Sequence, residues 1–193
     1  MKRQIITILV AVFLATTSVA QNIDIRRIEG EIAFGLASGI SALEMDDCDW
    51  GPRLTGELRY NIKSLPVDVG LQISASNFYR SVDEIQNDRL KFNSCSVMAV
   101  ADYNFRRGEK VSFFAGAGLG YAYGGTTEPQ WDAGHNWGGY ATGEEAHRLG
   151  FAPRVGIELW NHLRLTATYT IFEKYNNNLA ISLGVVFGGG RKK

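Results

Sequence analysis

Eight charged residues share one register of an alternating pattern: Glu31, Glu57, Arg59, Asp68, Asp102, Arg154, Glu158 and Arg164. Carboxylates and guanidiniums form charge-assisted, often bidentate, hydrogen bonds. Set between packed strands, each group offsets part of its partner's desolvation. Two devices are built this way: a fixed polar core, or a conduit gated by ion pairs. Register arithmetic brings some of these residues together. If a loop of residues 63–66 joins two strands, Arg59 falls opposite Gly70 and diagonal to Asp68. If a three-residue loop or a bulge follows Leu159, Glu158 falls directly opposite Arg164.

A second group lies in the stretch "TTEPQWDAGHNWGGYATGEEAHR", with Trp131, His135, Trp137, Tyr140 and His147. His135, His147 and one of Glu144 or Glu145 could ligate a metal, but their spacing matches no tight ligand motif, so no metal is expected. Acyl-transfer chemistry pairs a histidine with a serine and a carboxylate; no serine stands beside either histidine, so no catalytic residue is assigned. The aromatic residues can bind a surface glycan or protein, or pack the loop on itself. In "EMDDCDWG", Glu44, Asp46, Asp47 and Asp49 read as a solvated acidic loop before a calcium site. His162 reads as a solvated turn residue. The glycines of "VSFFAGAGLGYAYGG" precede no helix, so they form no phosphate loop, and no cofactor is expected.

The elements that must position these residues are strands. Period-two alternation recurs in eight runs, centred on residues 32–37, 54–60, 67–74, 96–105, 111–124, 149–159, 163–171 and 179–187. No run has a helical period. In "VSFFAGAGLGYAYGG" one face is Val111, Phe113, Ala115, Ala117, Leu119, Tyr121 and Tyr123, and the other is mostly bare glycine. Connections alternate between short (residues 63–66, 106–110, 161–162) and long (43–52, 81–90, 125–148). This is the pattern of an all-β, eight-stranded antiparallel up-and-down transmembrane β-barrel with both termini on the short-turn side. The face opposite the apolar one is Gly, Ala, Ser and Thr with few charges. That is a crowded lumen and not the Lys- and Glu-rich surface of a soluble sheet. Aromatic residues gather near strand ends, as interfacial girdles do: Tyr60, Phe78, Tyr79, Tyr103, Phe105, Tyr121, Tyr123, Tyr169, Phe172 and Phe187. Eight strands leave an interior just wide enough for side chains to fill, which favours a polar core over a conduit.

The start of the chain reads as a secretory signal peptide over residues 1–20: Met1-Lys2-Arg3, a short apolar run, then Ser18-Val19-Ala20. Residues 21–28 follow as a short N-terminal segment, 29–187 as the barrel and 188–193 as a tail. Lys+Arg and Asp+Glu are equal at 20 each, which removes the basic field a nucleic-acid partner needs. Cys48 and Cys95 both fall at the long-loop end, in an oxidising compartment, so a disulfide between them is expected; two free thiols are the alternative.

The pieces "FFAGAGLGYAYG", "VADYNF" before a short turn and the final "LAISLGVVF" resemble the small eight-stranded outer-membrane barrels, the OmpA-transmembrane-domain and OmpX-like group. The resemblance spans about residues 29–187. It implies a monomer in the Gram-negative outer membrane, in contact with lipid and lipopolysaccharide, with extracellular loops and periplasmic termini. Family members end in a strand closed by an aromatic residue read by the barrel-assembly machinery. Phe187 matches, although residues 188–193 follow it. The implied role is structural, or surface-loop binding and adhesion to a glycan or protein. A lipid A-modifying enzyme of the outer leaflet and a narrow pore are the alternatives.

Overall fold

The computed structural model describes residues 25–39, 48–63, 65–83, 88–132, 137–172 and 177–188. They form one antiparallel sheet of β1 (Ile28–Gly39), β2 (Cys48–Asp49), β3 (Gly51–Asn61), β4 (Val67–Asp83), β5 (Asp88–Phe105), β6 (Val111–Asp132), β7 (Trp137–Leu159), β8 (Leu163–Thr170) and β9 (Asn178–Phe187). The two-residue β2 pairs with β4 one position out of register with β3, so it continues that strand across a bulge. Each long strand pairs with its sequence neighbours, and β1 pairs with β9, which closes an eight-stranded barrel.

The stagger of the barrel follows from its ladders. A ring leaving β3 at Asn61 passes Asp68, Asp102, Gly116, Arg154, Thr168, Ala180 and Ala37, and returns to β3 at Gly51, ten residues away. Ten residues of stagger over eight strands tilt the strands by about 40° and give a backbone radius of roughly 8 Å. Side chains from opposite walls can therefore meet.

Burial alternates with the pleat and is inverted relative to a water-soluble sheet. Along β3, Arg53, Thr55, Glu57, Arg59 and Asn61 are buried, whereas Leu54, Leu58 and Tyr60 are exposed. Phe34, Leu149 and Leu183 also stand outward. On β6 the outward residues from Phe113 to Tyr123 cover roughly 25 Å along the barrel axis at this tilt, the height of a membrane barrel's apolar band. Tyr60, Phe113, Trp160 and Phe187 ring its short-turn end. Phe78 and Phe172 depart from the girdle expected of them. Phe78 stacks on Phe92 inside the barrel, ring centroids 5.4 Å apart, and Phe172 packs inward with Met98, Val100, Ala122 and Ala152.

The turns match the twist of the strands. Trp160 and Asn161 both have positive φ, and His162 N–H donates to the Leu159 carbonyl at 3.0 Å, a type I′ geometry. Pro153 lies within β7 and has no N–H to donate. The β7–β8 ladder runs from Leu159 to Arg154, and resumes only at the Phe151–Ile171 bridge.

Two of the expected long loops are largely strand. The stretch 125–148 is a hairpin paired from Gly125–Glu145 to Asp132–Trp137, with a register shift after Gly125. The stretch 81–90 is likewise paired to Asp83–Asp88. Both carry polar alternation too weak to read as strand, and pairing with a strong neighbour supplies what propensity does not. The Cys48–Cys95 disulfide is also corrected. Cys95 is a free thiol on the exposed face of β5, paired with Ala75. Cys48 pairs with Arg80, which pairs with Leu90. Cys48 therefore sits two strands across and five residues along from Cys95, roughly 19 Å away, where a disulfide requires Cα atoms within about 7 Å.

The two faces tolerate opposite substitutions. A Cβ at Gly56, on the lipid face, meets nothing within 4 Å, whereas one at Gly116 falls 2.2 Å from the Ala101 carbonyl oxygen. Gly56→Leu is expected to assemble normally and Gly116→Leu to fail. Ala117→Arg, outward near mid-height, should cost about 2–4 kcal/mol in urea unfolding from bilayers. Normal assembly of Gly116→Leu would reverse the assignment of faces.

Candidate functional site

Alternation turns the inward register of every strand toward the barrel axis, and the narrow radius decides what fits there. Four arginines whose side chains are described as buried each lie directly across a ladder from a glycine: Arg53 from Gly35, Arg59 from Gly70, Arg154 from Gly116 and Arg164 from Gly184. The guanidinium stem takes the volume a neighbouring side chain would fill. A Cβ at Gly70 would fall 3.1 Å from Arg59 Cγ, and one at Gly184 would fall 2.4 Å from Glu31 Oε1.

The cations converge on a few carboxylates. Arg154 is bidentate to Asp102, with Nε–Oδ1 and Nη2–Oδ2 both 2.7 Å. It also reaches the far wall, donating to Glu57 at 2.5 and 2.9 Å. Glu57 accepts further from Gln72 at 2.8 Å and from Arg59 at 3.3 Å. Arg59 donates to Glu31 at 2.6 Å and lies 3.5 Å from Glu29. Arg164 pairs with Asp102, lies 3.7 Å from Glu31 and 3.8 Å from Glu158, and covers the Phe114 ring at 3.5 Å. Asp68 stands apart: Asn104 donates to its Oδ2 at 2.7 Å, and its Oδ1 has no partner.

The register sets Arg59 opposite Gly70 and Glu158 opposite Arg164, as the loop arithmetic requires. Among the described residues, the sequence reading leaves out two luminal charges, Glu29 and Arg53. Glu29 precedes the first clear alternation. Arg53 follows Gly51-Pro52, which reads as loop, although it shares parity with Thr55, Glu57 and Arg59. Arg53 donates to Thr55, Ser74 and Asn178, all neutral groups.

The short-turn end is drawn together by Arg107. Its Nη1 donates to the carbonyls of Ile62 at 3.2 Å and Leu65 at 2.9 Å, and its Nη2 to Asn61 Oδ1. Burial pushes the Arg107 guanidinium below its ordinary value, against the opposing pull of Asp68, Glu29 and Glu158. Ile25 is buried beside it, and the backbone at Arg26 and Arg27 accepts from Asn61 at 2.9 and 2.7 Å.

Among the described side chains of the long hairpin, that of His147 does not join this network. His147 is exposed on the outer face, with Nδ1 2.6 Å from Tyr121 Oη and Nε2 3.7 Å from Glu145. Its ring lies 4.9 Å from Tyr123. The backbones of Trp131, Trp137 and Tyr140 pair with Gly138, Asp132 and Pro129 near the hairpin tip. His135 lies outside the described residues. No group of three His, Cys, Asp or Glu side chains converges as metal ligands among the described residues.

A closed antiparallel barrel with an apolar outer band and an ionised interior is a transmembrane barrel of the outer-membrane type. A family model for the outer membrane protein beta-barrel domain matches residues 6–187, and the chain belongs to that family. It is an integral β-barrel protein of the Gram-negative outer membrane. Among solved structures, Neisserial surface protein A is similar, with a TM-score of 0.52 at 15% identity over 85% of this chain and 98% of that one. OprG of Pseudomonas aeruginosa follows at 0.49 and 12%, over 86% and 98%. Ail, the attachment invasion locus protein of Yersinia pestis, scores 0.46 at 15%, over 84% and 99%. At 15% identity the likeness to Neisserial surface protein A is one of fold. No curated protein matches the sequence.

Asp102 compensates two buried guanidiniums, so Asp102→Ala should destabilise the barrel by about 3–5 kcal/mol. The exposed Arg106–Glu109 pair, 2.5 Å apart, is a control, and Arg106→Ala should cost less than about 1 kcal/mol. Urea titration of both variants in bilayer vesicles measures the difference. Equal costs would mean the interior network contributes nothing specific.

Proposed function

We propose that the protein is a monomeric surface-display barrel: its lumen is a closed polar core, and its long hairpins meet a glycan or protein outside the cell. The observation that carries this reading is strand length. β6 and β7 have 22 and 23 residues, whereas β8 and β9 cross the same wall with 8 and 10. β6 continues nine residues past Tyr123 to Asp132, roughly 20 Å beyond the apolar band. A paired hairpin of that reach serves no purpose in spanning the membrane. It holds Trp131, Trp137 and Tyr140 away from the surface, and aromatic side chains are effective contact residues.

The reading sets the hairpin end extracellular and the turns 62–66, 106–110 and 160–162 periplasmic, with both chain ends. The Glu57–Arg154–Asp102 bridge, the Phe78–Phe92 stack and Ile25 support a closed lumen, because each places side-chain volume where an ion would have to pass. The ion pairs are then structural and not a gate. Assembly by the outer-membrane barrel machinery, with Phe187 as the terminal aromatic, belongs to the same reading. So does the absence of enzymatic activity: His147 is engaged by a tyrosine and a glutamate, and lipid A of cells with and without the protein should have one mass spectrum.

Proteinase K added to intact cells is expected to cut within residues 126–143 and to spare Arg106 and Arg107. Replacing residues 127–142 with a two-residue turn should leave a folded barrel that no longer attaches cells to the glycan- or protein-coated surfaces bound by the full chain. In planar bilayers the purified protein should give no discrete conductance steps. Stable steps would replace the closed core with a pore, and a lost acyl chain on lipid A would replace display with catalysis.

A further inference from the structure

Basic side chains are spread unevenly around the short-turn end. The 106–110 turn carries Arg106, Arg107 and Lys110 against Glu109, whereas the 160–162 turn carries no lysine or arginine. Arg107 donates to the carbonyls of Ile62 and Leu65, which docks the neighbouring turn and brings the exposed Lys63 to the same side. Arg106 pairs with Glu109 at 2.5 Å, so the two turns together keep an excess of positive charge, with Lys63 and Lys110 both exposed.

Directly above these turns the lipid face is hollow. Ala99, Ala101 and Ala117 floor a trough, and Val69, Leu119 and Phe151 stand up around it. The ladders set these residues in two rows, Val69–Ala101–Ala117 and Ala99–Leu119–Phe151, so the trough follows the β5–β6 seam. The seam continues down to the turn through an aromatic step. Tyr103 and Phe105 meet edge to face at 4.8 Å, and Phe105 pairs with Phe113. At the turn itself a groove opens between Arg106, Glu109, Lys110 and Val111. Ala99 lies seven residues up β5 from Arg106. That is roughly 18 Å along the barrel axis at this tilt, and the hydrocarbon of one leaflet is about 15 Å thick. The trough therefore reaches from the basic turn to mid-bilayer. Hydrocarbon covers every outward face of the barrel, so apolar shape alone selects no lipid. The charge at the foot of the trough does: each lysine near a membrane surface favours an anionic headgroup about fivefold.

We infer that the β5–β6 face binds one anionic phospholipid, whose phosphate meets Lys63 and Lys110 and whose acyl chain lies in the trough. With the short turns periplasmic, this lipid belongs to the inner leaflet. The site lies at the opposite end of the barrel from the surface hairpin and does not depend on what that hairpin contacts.

Native mass spectrometry of the purified full chain tests this, after incubation in non-ionic detergent with equal amounts of phosphatidylglycerol and phosphatidylcholine of identical chains. One phosphatidylglycerol adduct should saturate, preferred over phosphatidylcholine by about thirtyfold for two lysines. The preference should collapse as salt rises from about 0.01 to 1 M, where the Debye length falls from about 30 to 3 Å. Lys63→Gln combined with Lys110→Gln should bring the two lipids to parity. Ala101→Phe, which fills the trough from the lipid side, should weaken retention of both. Glycerol phosphate, which has the charge without the chain, should displace neither. If a variant does not assemble, the preference of the native chain and its salt dependence decide. Equal retention of both lipids, a salt-independent preference, a preference kept without the two lysines, or retention unchanged by Ala101→Phe would each overturn the inference. So would displacement by glycerol phosphate, adducts that accumulate without saturation, or stronger retention of lipid A.

Discussion

Backbone amides inside hydrocarbon must all be paired, and a sheet meets that demand only by closing on itself. Here closure takes eight strands with a stagger of ten residues. The rest of the molecule follows from the narrow radius this fixes. Inward side chains meet across the axis, so a large residue on one strand needs a bare position on the next. The four arginine–glycine pairs are the direct expression of that limit. Outward side chains face lipid and carry no such constraint, which is why Gly56 has open space and Gly116 has none.

Inside this wall, polarity is segregated. The β5–β6–β7 side holds Met98, Val100, Ala122, Ala152 and Phe172 as an apolar cluster. The hairpin end holds Arg53 among hydroxyls and amides. The short-turn end holds the dense network around Asp102 and Glu57, with a surplus of carboxylate. Burying so many charges is costly, and removing one partner is costlier still, because the remaining charge stays desolvated. The network therefore makes the folded barrel sensitive to single changes in a way that its lipid face is not.

The sequence made the strand number, the inside-out sense of each face and the register of two hairpins legible, because period two is strong wherever one face meets lipid. Arg59 with Gly70 and Glu158 with Arg164 could be placed from loop lengths alone. Interactions across the axis were not legible. Nothing local tells Arg154 that Glu57 lies on the opposite wall. Nor does local pattern mark the hairpin halves of β6 and β7, where the sequence alternation fades. Phe78 and Phe172 were misplaced because aromatic residues near a strand end suit a girdle or a luminal stack equally. Cys48 and Cys95 share a height by residue count, but the tilt of the strands separates them.

The central claim is that ion pairs crossing the lumen, and not merely lining it, hold the barrel interior together. A double-mutant cycle on Glu57 and Arg154, using Glu57→Gln, Arg154→Met and the double variant, measures this by urea unfolding in bilayers. The account predicts strong coupling, at the upper part of the range of about 0.5–3 kcal/mol seen for residues in contact. Additive effects, within about 0.3–0.5 kcal/mol, would show that the two walls are energetically independent and would contradict it.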